Sequence, residues 1–338
     1  MGKIVNSHLM EYGYELLSAY PYAYHLSLQG QLDGTISGYD TKPLYFFSPN
    51  HTEVNERRAF LNIHQAKHDG IPNTIIHRAE LDWDQMTFPP LKEHYKDKAI
   101  TFSKPTVCIC NRYTKEWGKA PINYFDIPTL EKLFNLLKDK YQIVYISVAG
   151  RPAYYDHHEE EEQDDYDFIY SNYDGSEVKI IHDIVEDREI SFNEAVYKVF
   201  AGANKFVTMN GGYSILASYF GGENIIYCKE STDLIFNDFN RWYWRIGGSE
   251  ITHINTYDKL ISITDRLYLK EDKPNTYFIL DDHRVRDKIK EIKLDDKDAR
   301  IVVKTRHERE SNAAKQYGCI SSQYVDLMKS VYKKHIIL

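Results

Sequence analysis

Between residues 205 and 229 the hydrophobic pattern changes period twice. Lys205 to Met209 is a short apolar run of strand type, Asn210-Gly211-Gly212 is a turn, and Tyr213 to Phe220 sets Ile215, Leu216, Tyr219 and Phe220 at helical spacing. Gly221-Gly222 stops that helix, because glycine accepts the left-handed conformation of a helix end, and Asn224 to Lys229 returns as a second apolar run. The stretch predicts a βαβ unit with a glycine turn at the carboxyl end of its first strand.

The same alternation extends towards the amino terminus. It predicts a strand at Thr106–Cys110, a helix over Pro128–Lys140 with Leu130, Leu133, Phe134 and Leu137 on one face, and strands at Gln142–Ser147 and Val178–Asp183. Ser191-Phe192-Asn193-Glu194 then signs a helix start as a capping box. Near-continuous apolar strands separated by helices imply a parallel, doubly wound sheet.

Upstream, Leu16, Leu17, Tyr20, Tyr24 and Leu28 read as a helix ending at Gly30 and bent at Pro21. Leu44–Ser48 reads as a buried strand that puts His51 just past its carboxyl end, Glu53–Asp69 as a polar amphipathic helix, and Thr74–His77 as a short strand. Periodicity fades over residues 82–103, which reads as a connection. Downstream, one strand (Tyr277–Leu280) and helices at 283–293 and 321–334 are expected. The fold class is therefore α/β: two Rossmann-like domains with parallel doubly wound sheets, over residues 1–103 and 104–265, and a helical carboxyl-terminal segment over 266–338.

Composition narrows the function classes. A chain of 338 residues with 42% apolar and 27% charged residues can bury two cores, and no apolar run approaches the roughly 18 residues of a membrane span. The first residues lack a signal-peptide core, so a cytoplasmic protein is expected. The net charge of −8 argues against nucleic acid as a partner. Cys108, Cys110, Cys228 and Cys319 are too scattered for a disulfide framework and read as buried thiols, with Cys108 and Cys110 expected on opposite faces of their strand. The acidic run His157–Asp167 reads as a solvated loop, and His64 with His68 as surface histidines, so no metal site is expected. The 28 tyrosines suit stacking on sugars or bases, but a compositional bias explains them equally.

Candidate chemistry gathers at strand ends. Glycines without a Cβ let a ligand approach the backbone, and a helix start presents N–H groups to it, so Asn210, Gly211, Gly212 and Ser214 form a candidate phosphate turn. A tight connection is the other reading of the same residues. Asn111, Arg112 and Lys115 leave the carboxyl end of the Thr106–Cys110 strand, and Arg151 follows the next strand, so basic side chains could neutralise a diphosphate there. Arg112 or Lys115 could instead pair with Glu116. The chain has no GxxxxGK[ST], GxGxxG or GxSxG pattern.

FVTMNGGYSILASYFGGENIIYC resembles the strand, glycine turn and helix of the donor domain in heptosyltransferase-like and fucosyltransferase-like enzymes. GYELLSAYPYAYHL, YFFSPNH and CNRYTKEWGKAPINYF are similar to segments of glycosyltransferases from bacteria and large DNA viruses. The resemblance to GT-B nucleotide-sugar glycosyltransferases implies transfer of a sugar from a nucleoside-diphosphate sugar donor to a glycan or similar hydroxyl acceptor. Asp281-Asp282 and Asp295-Asp296 do not follow the Asp-x-Asp pattern of metal-assisted sugar-nucleotide sites, so no tightly bound cofactor and no required metal are expected. A general base would come from the first half, where Glu15 and His51 are the candidates. Helix-dipole pairing of Glu15 and turn capping by His51 stay open beside that role. A glycan- or nucleotide-binding protein without catalysis and a pyruvyl-type transferase are the alternatives.

Overall fold

The structure is a computed structural model and describes residues 2–56, 58, 71, 87–115, 120–147, 164–231, 239 and 243–270, with the strands at 276–280 and 300–304. Two main sheets, both wholly parallel, organise it. The smaller has three strands, β1 (Lys3–Asn6), β2 (Leu32–Gly38) and β3 (His51–Val54), in the order β1-β2-β3. The larger has six: β4 (Thr106–Cys110), β5 (Gln142–Ile146), β6 (Val178–Ile180), β7 (Ala203–Met209), β8 (Glu223–Tyr227) and β9 (Glu250–Ile254), ordered β6-β5-β4-β7-β8-β9. Counted within that sheet, the order is 3-2-1-4-5-6, the doubly wound Rossmann-like arrangement. Its direction reverses between β4 and β7.

Burial explains the unbroken apolar strands. Val107, Ile109, Ile143, Tyr145 and Val207 face one core, where helix α3 (Ile127–Leu137) packs Leu130, Leu133, Phe134 and Leu137. Cys108, Cys110, Val144, Ile146 and Phe206 face the other. Residues two apart in a strand share a face, so the expected splitting of Cys108 and Cys110 is corrected. Both thiols are fully buried, and burial raises both pKa values.

That second core also receives the amino-terminal half. A continuous helix over residues 12–28, α1, joins β1 to β2, with a π-helical turn at Glu15–Ala19 just before Pro21. Its inner side meets α7 (Gly212–Tyr219), where Tyr219 donates its hydroxyl to Leu16 O at 2.5 Å and Tyr20 lies 5.5 Å from the Tyr219 ring. Helix α2 (Leu91–Tyr95) lies within the expected connection and packs near α6 (Phe192–Gly202).

Several expectations are corrected. Leu44–Ser48 is a series of turns, with Leu44 N and Tyr45 N both donating to Thr41 O; the aromatic rings fold inward, Tyr45 and Phe47 standing 5.4 and 5.6 Å from Tyr20. The strand lies later, at β3, so Glu53 is not a helix start and His51 opens a strand instead of following one. The helical start of α5 (Ile181–Arg188) shortens the strand expected at Val178–Asp183, because Ile181 and Ile184 bury together at helical spacing. Ser191 Oγ accepts from Glu194 N at 3.4 Å, but the Glu194 carboxylate pairs with Lys198 at 2.7 Å. β1, β2 and β9 were not expected. In the carboxyl-terminal segment, β10 (Thr276–Leu280) matches the expected strand and pairs in parallel with β11 (Arg300–Lys304). His64, His68, Thr74–His77, Arg151, Cys319, the acidic run up to residue 163 and the helices expected at 283–293 and 321–334 lie outside the described residues. No described helix is long and apolar enough to cross a membrane.

Candidate functional site at the sheet switch point

The expected βαβ unit is present: β7 and β8 pair in parallel, α7 runs between them, and Gly221 and Gly222 both have positive φ at its end, 66° and 72°. Asn210 and Gly211 therefore lie just past β7, beside the loop that leaves β4, at the point where strand order reverses. Ligands of open α/β sheets bind in that crevice. Gly211 has φ 139°, a conformation that favours glycine. A Cβ on Gly211 would stand 3.7 Å from Arg112 Nη2 and 3.8 Å from its Cζ. Arg112 and the glycine turn, far apart in sequence, are thus neighbours.

The other members of the set take different roles. Ser214 Oγ donates to Gly211 O at 2.8 Å and accepts from Gly211 N at 3.3 Å, so its hydroxyl shapes the turn. Asn111 is fully buried, with Phe125 N donating to Oδ1 at 2.8 Å and Nδ2 donating to Phe125 O at 3.0 Å and to the Tyr145 hydroxyl at 3.1 Å. That side chain ties the two ends of the loop together and is committed to it. Asn210 is 8% exposed, and its Oδ1 has no hydrogen-bond donor within the described residues. Lys115 is exposed on the same loop. Arg151 lies outside the described residues.

The two candidate bases, Glu15 on the 12–28 helix and His51 at the start of β3, both meet Tyr45, in surroundings the sequence did not reveal. Glu15 is wholly buried, and its Oε1 accepts from Ser7 Oγ at 2.6 Å, from the Tyr45 hydroxyl at 2.8 Å and from Ser37 Oγ. Arg58 Nη1 stands 2.7 Å from Oε2. Burial pushes the Glu15 pKa up, but Arg58 and the hydroxyls outweigh it and hold the group below the usual carboxylate range. His51 stacks on Tyr45 at 4.9 Å, with Nδ1 2.7 Å from Thr35 Oγ1 and Nε2 3.1 Å from Thr41 Oγ1. Burial lowers its pKa, favouring the neutral ring.

Sequence reasoning missed Ser7, Ser37, Tyr45 and Arg58. It also missed Asp165, buried at the start of α4 (Asp165–Asn172), whose Oδ2 accepts the Tyr145 hydroxyl at 2.5 Å and whose pKa burial raises. Position at a strand's carboxyl end is the signal that could have found Ser7, just after β1, and Ser37, in the last residues of β2, once those strands were known. Among the described residues, no group of three or more His, Cys, Asp and Glu side chains could hold a metal ion. Comparison with protein-family models, curated proteins and solved structures gives no match.

Proposed function

We propose that the chain binds the diphosphate of a nucleoside-diphosphate sugar at the switch point and transfers the sugar to a glycan or similar hydroxyl. The observation that carries this reading is the Arg112 guanidinium beside Gly211, at the entrance to α7. A cation fixed next to a close-approach turn and a helix start stabilises a departing diphosphate through charge and backbone N–H groups, without covalent chemistry. The resemblance of the glycine-turn segment to glycosyltransferase donor domains points the same way.

A second reading, a nucleotide- or glycan-binding protein without turnover, is favoured by the engagement of Glu15 and His51 with neighbouring side chains. Either residue would have to exchange a partner before taking a proton from an acceptor. Thermal stabilisation by a panel of UDP-, GDP- and ADP-sugars, followed by hydrolysis and transfer assays, separates the two. Transfer is expected, and stabilisation without turnover on any acceptor selects the binding reading. Arg112→Ala should weaken the stabilising ligand by about 1.5–3 kcal/mol, the usual worth of a charge-assisted contact. Unchanged affinity in that variant would move the site elsewhere.

A further inference from the structure

Arg58 is 3% exposed, and its guanidinium fills a recess at the end of β2 that exists because residue 38 is glycine. A Cβ on Gly38 would lie 2.8 Å from Nε, 2.9 Å from Nη2 and 3.0 Å from Cζ. From that recess Arg58 donates to Met10 O at 2.9 Å, pairs with Glu15 at 2.7 Å and lies 5.7 Å over the ring of Tyr12. The Tyr12 ring in turn touches the glycine turn. A Cβ on Gly212 would lie 3.1 Å from Tyr12 Cδ1 and 3.8 Å from Gly13 N, and one on Gly13 would lie 3.3 Å from Ile215 Cδ1. The Tyr12 hydroxyl is fixed by that of Tyr197 at 2.8 Å. The start of the 12–28 helix is therefore wedged between Arg58 and the start of α7.

We propose that Arg58 is a positioning residue for the glycine turn: paired with Glu15 and cradled by Gly38, it presses Tyr12 against Gly212 and fixes the backbone of residues 211–215. This rests on the reading of that turn as an anion site. A buried ion pair is often replaceable by apolar residues without loss of stability, whereas a planar guanidinium meeting a carboxylate, a carbonyl and a ring at once sets geometry. The contact reaches across both halves of the molecule, from the carboxyl edge of the small sheet to that of the large one.

Hydrogen exchange on the ligand-free full chain tests the positioning directly, and titration with inorganic pyrophosphate tests its consequence. In Arg58→Met, the amides of Gly211, Ser214 and Ile215 should exchange at least about tenfold faster, while those of β5 keep their rates. Arg58→Lys keeps the charge without the fork and should recover part of the protection. Gly38→Ala displaces the guanidinium without removing it, should show the same local rise at residues 211–215, and carries the test should Arg58→Met not fold. Pyrophosphate should bind about tenfold more weakly to Arg58→Met and Gly38→Ala. Unchanged exchange at residues 211–215, or a uniform rise through both sheets, overturns the proposal. If the native chain binds no pyrophosphate, the anion-site reading fails, and the exchange pattern still decides whether Arg58 positions the turn.

Discussion

The carboxyl edges of the two sheets solve opposite problems. At the small sheet the edge is filled by the protein's own charges: three hydroxyls donate to Glu15 Oε1 and Arg58 faces Oε2 as a buried ion pair. At the large sheet the edge is built largely from backbone, with Gly211 beside Arg112 and Gly212 beside Tyr12, neither glycine carrying a side chain. A carboxylate desolvated to that degree is tolerable only when paired, and pairing occupies the lone pairs a base would use. The backbone of the turn stays half-exposed at Gly211 and Gly212. The difference favours ligand binding at the large sheet and a supporting role at the small one.

The most damaging way to break this contrast is Glu15→Gln. The amide oxygen can still accept the hydroxyls, but the Arg58 charge is left buried without its counter-ion, and a loss of about 3–5 kcal/mol in chemical denaturation is expected. A loss below about 1 kcal/mol, the worth of an exposed pair, would mean that the pair is hydrated and the edge open to water.

Gly211→Val strikes the other edge. A β-branched residue at φ 139°, with its Cβ 3.0 Å from Met209 Cε, should cost on the order of 1–3 kcal/mol in strain and abolish pyrophosphate binding while the fold persists. Retained binding in a folded variant would place the anion elsewhere.

The smallest and most discriminating effect is the dependence on pH of the two buried carboxyls. Glu15 has a lowered folded pKa, so its contribution is complete above the ordinary value of about 4.3 and is lost as pH falls through the folded one. Asp165 has a raised folded pKa, so its contribution is complete below about 3.9 and is lost as pH rises through the folded value. Asp165→Asn should therefore cost no stability at neutral pH, since an amide can still donate to or accept from the Tyr145 hydroxyl. Denaturation midpoints of Glu15→Gln and Asp165→Asn, followed from neutral to acid pH, should converge on the native chain from opposite sides. A destabilised Asp165→Asn at neutral pH would give Asp165 an unseen cation.

Local pattern was enough for the centre of the large sheet, though not for its edge strand β9 or the true end of β6. Thr106–Cys110, Gln142–Ile146 and the β7–α7–β8 unit were legible because a strand buried on both faces must be apolar throughout, and because Gly221-Gly222 ends a helix by its own conformational freedom. The small sheet was not legible for the converse reason. β2 reads Leu-Asp-Gly-Thr-Ile-Ser-Gly, and its serine, threonine and glycines are there to hold Glu15, His51 and Arg58, not to make an apolar surface. LYFFS looks like a strand because aromatic residues favour sheets, yet its rings are drawn into turns by packing on Tyr20. By itself the sequence determined the parallel α/β class, the glycine turn and the basic loop after β4, since each depends on neighbouring residues. Only the tertiary structure decided that Arg112 meets Gly211, that Glu15 is neutralised by Arg58 and that Tyr12 abuts Gly212, because such pairings depend on strand order and helix packing, which no local pattern encodes.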